Sequence, residues 1–277
     1  MLRFTDVSYE YQTRNAALQA LGGLSFAVEE GDSLVIIGPS GCGKSTALLL
    51  ACGLLQPSGG EVLVAGRPLD APRQSTALIL QDFGLLPWKT VLQNAALGLE
   101  IRKVARRERE NRARAALQSV GLGDFLQAFP RELSGGMRQR LALARALALD
   151  VSLICMDEPL SAVDTMLRES LQDLLLVLWH ERGYTSLLVT HSIEEAVFLG
   201  RRILVLSARP GRLSALIDNP GMGTAAYRGD AAFYAKCSEL RRALAGEGDA
   251  ANKGNAVEEN GVASKAVAAG KGAFDAR

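Results

Sequence analysis

At 277 residues the chain is long enough for a sizeable core, and 48% hydrophobic residues mark it as globular rather than disordered. No apolar run approaches the ~18–20 residues that cross a bilayer, and no basic region followed by an apolar stretch opens the sequence, so neither a membrane span nor a secretion signal is expected. A net charge of +1 argues against a dedicated nucleic-acid binder, and four cysteines without C-x-x-C spacing argue for reduced thiols rather than a disulfide frame or zinc site.

Leu2 and Phe4, then Leu24, Phe26 and Val28, alternate with polar residues, as half-buried antiparallel strands do. Between them, Tyr9 and Tyr11 are placed either to stack on a purine base or to pack on the sheet. Residues 33–37 form a β-branched apolar run that predicts a buried strand, and residues 47–52 predict a helix.

Gly38-Pro39-Ser40-Gly41-Cys42-Gly43-Lys44-Ser45-Thr46 lies between that strand and that helix and fits G-x-x-x-x-G-K-[ST] at every fixed position. The glycines allow the backbone to wrap closely with its N–H groups turned inward. The helix start adds unpaired N–H groups and a positive dipole end at the same spot. Lys44 supplies a point charge for phosphates, and the Ser45 hydroxyl is placed to ligate Mg²⁺.

Residues 56–60 read as a turn, and 61–66 and 76–80 as strands, the second ending at Gln81. The apolar loop 82–88 is either packed on its own domain or offered to a partner. Helices are expected over about 91–132, with a run of arginines that interleaved Glu108 and Glu110 turn into a solvated, ion-paired face. Ser134 then caps a helix whose start, Gly135-Gly136-Met137, is bare and open to an anion. A buried strand at 151–156 delivers Asp157 and Glu158, which are costly to bury unless a cation or a reaction uses them. A loop, Ser161-Ala162-Val163-Asp164, leads to a helix at 166–182, with His180 near its end as a surface or dipole-complementing residue. The strand 185–190 ends at His191, on the edge where α/β sheets bind ligands. A helix at 193–199, strands at 203–207 and 213–217, and a helix at about 231–244 follow. From residue 246 the composition predicts a disordered tail.

In this order and spacing the motifs resemble the ATP-binding subunit of ABC transporters over about residues 1–220. The resemblance implies an α/β fold: a P-loop NTPase core with a parallel sheet, an N-terminal antiparallel β subdomain, and a helical subdomain (about 90–148) inserted between Gln81 and Asp157. Residues 221–245 would form a helical extension. Gly84-Leu85-Leu86-Pro87-Trp88, Asn94-Ala95-Ala96-Leu97-Gly98-Leu99-Glu100, Ile193-Glu194-Glu195-Ala196-Val197-Phe198 and Pro210-Gly211-Arg212 look most like the nitrate, taurine and sulfonate importer branch. Met137, Val163 and Ser192 depart mildly from the family pattern and remove no charge or proton carrier.

The resemblance implies ATP and Mg²⁺ as ligands and assigns roles. The loop 38–46 and Lys44 hold the phosphates, while Ser45, Asp157 and Gln81 serve the metal. Glu158 is the general base, and His191 reaches the γ-phosphate. Tyr11, with Tyr9 as the alternative, stacks on adenine. Ser134, Gly135, Gly136, Met137 and Asp164 complete the site of a second copy in a head-to-tail homodimer. The implied partners are integral membrane permease subunits and an extracytoplasmic solute-binding protein, with this chain peripheral on the cytoplasmic face of the membrane. The alternatives are a soluble ABC ATPase acting on ribosomes or nucleic acid, and a nucleotide-gated regulatory module.

Overall fold

In the computed structural model, which describes residues 1–12, 17–161 and 165–246, the chain opens with β1 (Leu2–Gln12), β2 (Ala17–Val28), β3 (Ser33–Ile37) and α1 (Lys44–Ala51). It continues through β4 (Gly59–Val64), β5 (Arg67–Pro68), β6 (Thr76–Ile79), α2 (Val91–Ile101), α3 (Arg106–Ser119) and α4 (Gly135–Leu147). The last elements are β7 (Leu153–Asp157), α5 (Thr165–Arg182), β8 (Thr185–Val189), α6 (Ile193–Leu199), β9 (Arg202–Leu206), β10 (Leu213–Asp218) and α7 (Ala231–Leu244).

Every residue of β3 is buried, because this strand is central in a six-stranded sheet of order β10-β9-β3-β8-β7-β6. All its pairings are parallel except β10 on β9. Alternation of side chains across the sheet divides the run between two cores. Leu34 and Ile36 pack with α1 and with the inner face of the antiparallel sheet β2-β1-β4-β5, while Val35 and Ile37 pack in the core shared with α2 to α6. Apolar residues on both faces explain why these strands read as continuous hydrophobic runs.

The antiparallel sheet pairs Leu2 with Val28 and Phe4 with Phe26, whose rings stack at 4.5 Å. The expected alternation holds at its ends, but the structure makes residues 2–12 one long strand, with register shifts between Phe4 and Glu10 and Asp6 at φ 49°. Bulges of this kind reset which face a side chain takes, so period-two reading fails across them.

Between β6 and β7 the helices α2, α3 and α4 form the inserted helical layer. Val91, Leu92, Ala95, Ala96 and Leu99 give α2 an apolar stripe at helical period, and Thr90 with Gln93 closes a reciprocal cap at its start. Buried Asn94 bonds Leu86, Lys89 and Thr90 and thereby ties down the preceding loop, which leaves Trp88 71% exposed. On α3 the arginines do pair with acids, Arg106 with Glu110 at 2.8 Å and Arg112 with Glu108 at 3.8 Å. All four cysteines are free and buried. His180 is exposed near the end of α5, as expected, and bonds the Gly223 carbonyl at 2.7 Å, which ties α5 to the chain leading into α7. Asp164 and the tail from residue 247 lie outside the described residues.

Candidate functional site

The site forms where β3, β7 and β8 end together. Between β3 and α1 the loop 38–43 turns back on itself, and Gly43 caps α1 in a left-handed conformation, φ 102°, with no side chain covering the helix start. A Cβ on Gly43 would lie 2.7 Å from the Ala20 carbonyl, so the loop is seated against β2 with room for hydrogen alone. Lys44 is buried, and its ammonium donates to the carbonyls of Gly38 and Pro39 at 2.9 and 3.0 Å. It thus spans the loop with a positive charge at its centre. With the bare N-terminus of α1, this makes an anion cradle from backbone donors and one cation.

A cavity of about 310 Å³ opens over the cradle, walled by Tyr11, Leu18, Ala20, Ser40, Gly41, Gly43, Lys44, Ser45, Thr46, Glu158 and Arg209. The Tyr11 hydroxyl is 3.1 Å from Thr46 Oγ1, which sets the ring at the cavity wall. Tyr9 meets Tyr11 edge-on at 4.8 Å and packs on the core beneath, outside the wall. Arg209 was not singled out from sequence. Its Nε–H donates to the Gly41 carbonyl at 2.9 Å, bringing a second cation over the loop from beyond β9. A larger concavity of about 510 Å³, around Glu29, Asp32, Arg201 and Asp218, lies at the opposite end of the parallel strands and contains none of these groups.

Asp157 ends β7 and its Oδ1 accepts from the Ser45 hydroxyl at 3.2 Å. Burial pushes its carboxyl up, and the neighbouring Glu158 adds to this, while the Ser45 bond and Lys44 oppose it. A hydroxyl and a half-buried carboxylate, adjacent at the edge of the cradle, suit a magnesium ion that takes its other ligands from phosphate and water. No group of three or more His, Cys, Asp or Glu side chains placed to hold a metal occurs among the described residues.

Glu158 follows in a left-handed backbone conformation, φ 44°. Its N–H is held by the Val189 carbonyl at 2.9 Å and its Oε2 lies 3.1 Å from His191 Nδ1. A glutamate gains nothing intrinsically from that conformation, so the turn holds it under strain. His191 itself is 62% exposed. The acid and the imidazole thus meet at the mouth of the cavity although 33 residues apart in the chain.

Other sequence candidates stand elsewhere. Gln81 is exposed beyond the end of β6 and outside the cavity wall. Ser134 caps α4, accepting from the Met137 N–H at 3.3 Å, and Gly136 is packed so closely on α5 that a Cβ would lie 2.3 Å from Leu167 Cδ2. Helix α4 packs on α2, α3, β6 and α5, and none of Ser134–Met137 lines this chain's own cavity.

Comparison with known proteins agrees with this geometry. Residues 21–161 match the family described as ABC transporter. The chain is 44% identical to a taurine import ATP-binding protein of Rhizobium johnstonii, over 83% of this chain and 88% of that one. It is 47% identical to a taurine import ATP-binding protein of Burkholderia pseudomallei, over 76% and 81% of the two chains. A solved dimeric ATP-binding cassette in a post-hydrolysis state, bound to ADP and Pi, superposes with a TM-score of 0.71 at 31% identity, covering 79% of this chain and 98% of that one. The phosphate cradle, the acids ending β7 and the match across 21–161 together establish that the chain belongs to the ATP-binding subunits of the ABC transporter family.

Proposed function

We propose that this chain hydrolyses ATP to power import of a small anionic solute, of the nitrate, taurine or sulfonate class, through separate membrane subunits. The observation that carries the hydrolytic part is the convergence of Lys44, the Ser45–Asp157 pair and the Glu158–His191 pair on one sheet edge. The importer part is supported by the names of relatives 44–47% identical to this chain.

Each residue has a task in the attack of water on the terminal phosphate. The cradle N–H groups and Lys44 neutralise the phosphate oxygens. Ser45 and Asp157, with Gln81 brought in from outside the cavity, would hold Mg²⁺, which supplies Lewis-acid polarisation of the phosphoryl oxygens when bound. Glu158 takes the proton from the attacking water as its oxygen bonds to phosphorus and the bond to the ADP oxygen breaks. His191 fixes Glu158 and contacts the departing phosphate. Tyr11 stacks on adenine from the cavity wall.

Because none of Ser134–Met137 lines this chain's own cavity, that helix start is assigned to the site of a second copy, together with Asp164. The dimeric arrangement of the solved cassette is consistent with this. The domain proposal assigns 1–220 to the ATPase unit and 221–245 to an extension. No described helix is long and apolar enough to cross a membrane, and the spans are assigned to the partner. The loop carrying exposed Trp88 is proposed to face that partner on the cytoplasmic side.

The test is to extract the tagged chain gently from native membranes and identify what co-purifies. A polytopic membrane protein whose complex hydrolyses ATP, with a solute-binding protein to screen for ligands, is the expected result. Recovery with ribosomes or nucleic acid would overturn the importer reading.

A further inference from the structure

A second carboxylate stands behind His191. Glu195 lies in the first turn of α6 and is 3% exposed. Its Oε2 accepts from the Thr190 hydroxyl, and Thr190 is itself 1% exposed. The Thr190 oxygen accepts in turn from the Ser192 N–H at 3.1 Å, while the Glu195 N–H donates to Ser192 Oγ at 3.2 Å. Both chain neighbours of His191 are therefore bonded to one buried residue.

An ordinary capping box would send the third-position glutamate straight back to the cap N–H. Here Thr190 is interposed, and the carboxylate is drawn under the turn into the core. The other oxygen, Oε1, has no hydrogen-bond partner. Burial pushes this carboxyl up to about 7; the Thr190 bond, Arg168 of α5 and His191 pull it down, and Glu158 adds to the rise. A half-satisfied buried carboxyl costs stability that an apolar side chain would not. His191 is largely exposed, with Glu158 Oε2 3.1 Å from its Nδ1, so the placing of its ring depends on the turn that carries it.

We infer that Glu195 is a positioning residue for His191, setting the 190–192 turn from its buried side through the Thr190 hydroxyl on one flank and the Ser192 cap on the other. The inference rests on the hydrolytic reading above. The relay requires an acceptor oxygen at Oε2 and not a charge, so glutamine serves in place of glutamate.

Steady-state ATP hydrolysis by the full chain tests it. Glu195→Ala is expected to lower kcat about tenfold or more, since displacing a reacting group by about 1 Å can cost ~100-fold, with KM within about threefold of the parent. Glu195→Gln is expected to hold kcat within about threefold. Wild-type turnover in Glu195→Ala, or an equal loss in Glu195→Gln, would overturn the inference.

The sequence has two histidines, which gives a readout independent of turnover. In proton–nitrogen spectra of the imidazoles, Glu195→Ala should move the His191 resonances and leave those of His180 in place. An unmoved His191, or equal movement of both rings, would sink the proposal. Absence of ATP hydrolysis by the wild-type chain in complex with its membrane partners would refute the hydrolytic reading, while the His191 resonances would still show whether Glu195 sets the turn.

Discussion

The Ser45 hydroxyl reaches Asp157 Oδ1 across 3.2 Å, joining the first turn of α1 to the last residue of β7 at the edge of the sheet that carries Lys44 and Glu158. The pair has a cost. Burial raises the Asp157 carboxyl above its ordinary range, so folding favours its neutral form. That contribution to stability is present below the unfolded value, ~3.9, and is lost as pH rises through the raised folded value. Asp157→Asn should therefore melt a few °C higher than the parent at pH 7.5 without nucleotide, with the difference closing towards about pH 4. Thermal melts across pH check this, and a lower melting point at pH 7.5 would contradict it.

Glu158 combines strain with chemistry. Glu158→Gln keeps the side-chain shape and should bind ATP while losing ~100- to 10,000-fold in turnover. Separately, Glu158→Gly should be about 1 kcal/mol more stable than Glu158→Ala, because φ 44° penalises any side chain with a Cβ. Urea denaturation of the two variants compares them directly; equal stabilities would argue that the turn is unstrained.

Gly43 has no space to spare. At φ 102°, with the Ala20 carbonyl 2.7 Å and Leu21 Cδ2 2.8 Å from a would-be Cβ, Gly43→Ala should destabilise by more than about 2 kcal/mol. It should also weaken ATP binding more than tenfold by opening the cradle. Gly66→Ala is the control: its φ is also positive, 72°, but nothing lies within 4 Å, so about 1 kcal/mol is expected with ATP affinity unchanged. Equilibrium nucleotide binding and melts on both variants decide the matter.

Asn219 holds the far end of α6. Fully buried, it donates to the carbonyls of Val197 and Gly200, each at 2.7 Å, and accepts from the Tyr227 hydroxyl at 2.6 Å. Asn219→Ala leaves three buried groups without partners and should cost about 3 kcal/mol, against about 1 kcal/mol for Tyr227→Phe. Chemical denaturation should return that order, and the reverse order would show that Tyr227 contributes through contacts other than this bond.

What the sequence alone determined is local. The loop 38–46 is legible because its work is done by neighbouring backbone groups and one lysine, and the strand at 33–37 because burial on both faces demands an unbroken apolar run. The helix start at Ser134 is legible for the same reason, since a cap acts within three residues. Where a bulge resets the register, as between Phe4 and Glu10, alternation no longer reports which face is inside.

Only the tertiary structure decided the rest. It placed Tyr11 rather than Tyr9 at the cavity wall, brought Arg209 over Gly41, set Glu158 against His191, and left the Ser134 helix start outside the wall of its own cavity. It also buried Glu195 beneath His191, which in sequence reads as one of two ordinary acids in a helix's first turn. Each of these depends on which strands lie side by side, β7 against β8 and β9 against β3, and pairing between segments far apart in the chain leaves no mark on the spacing within either.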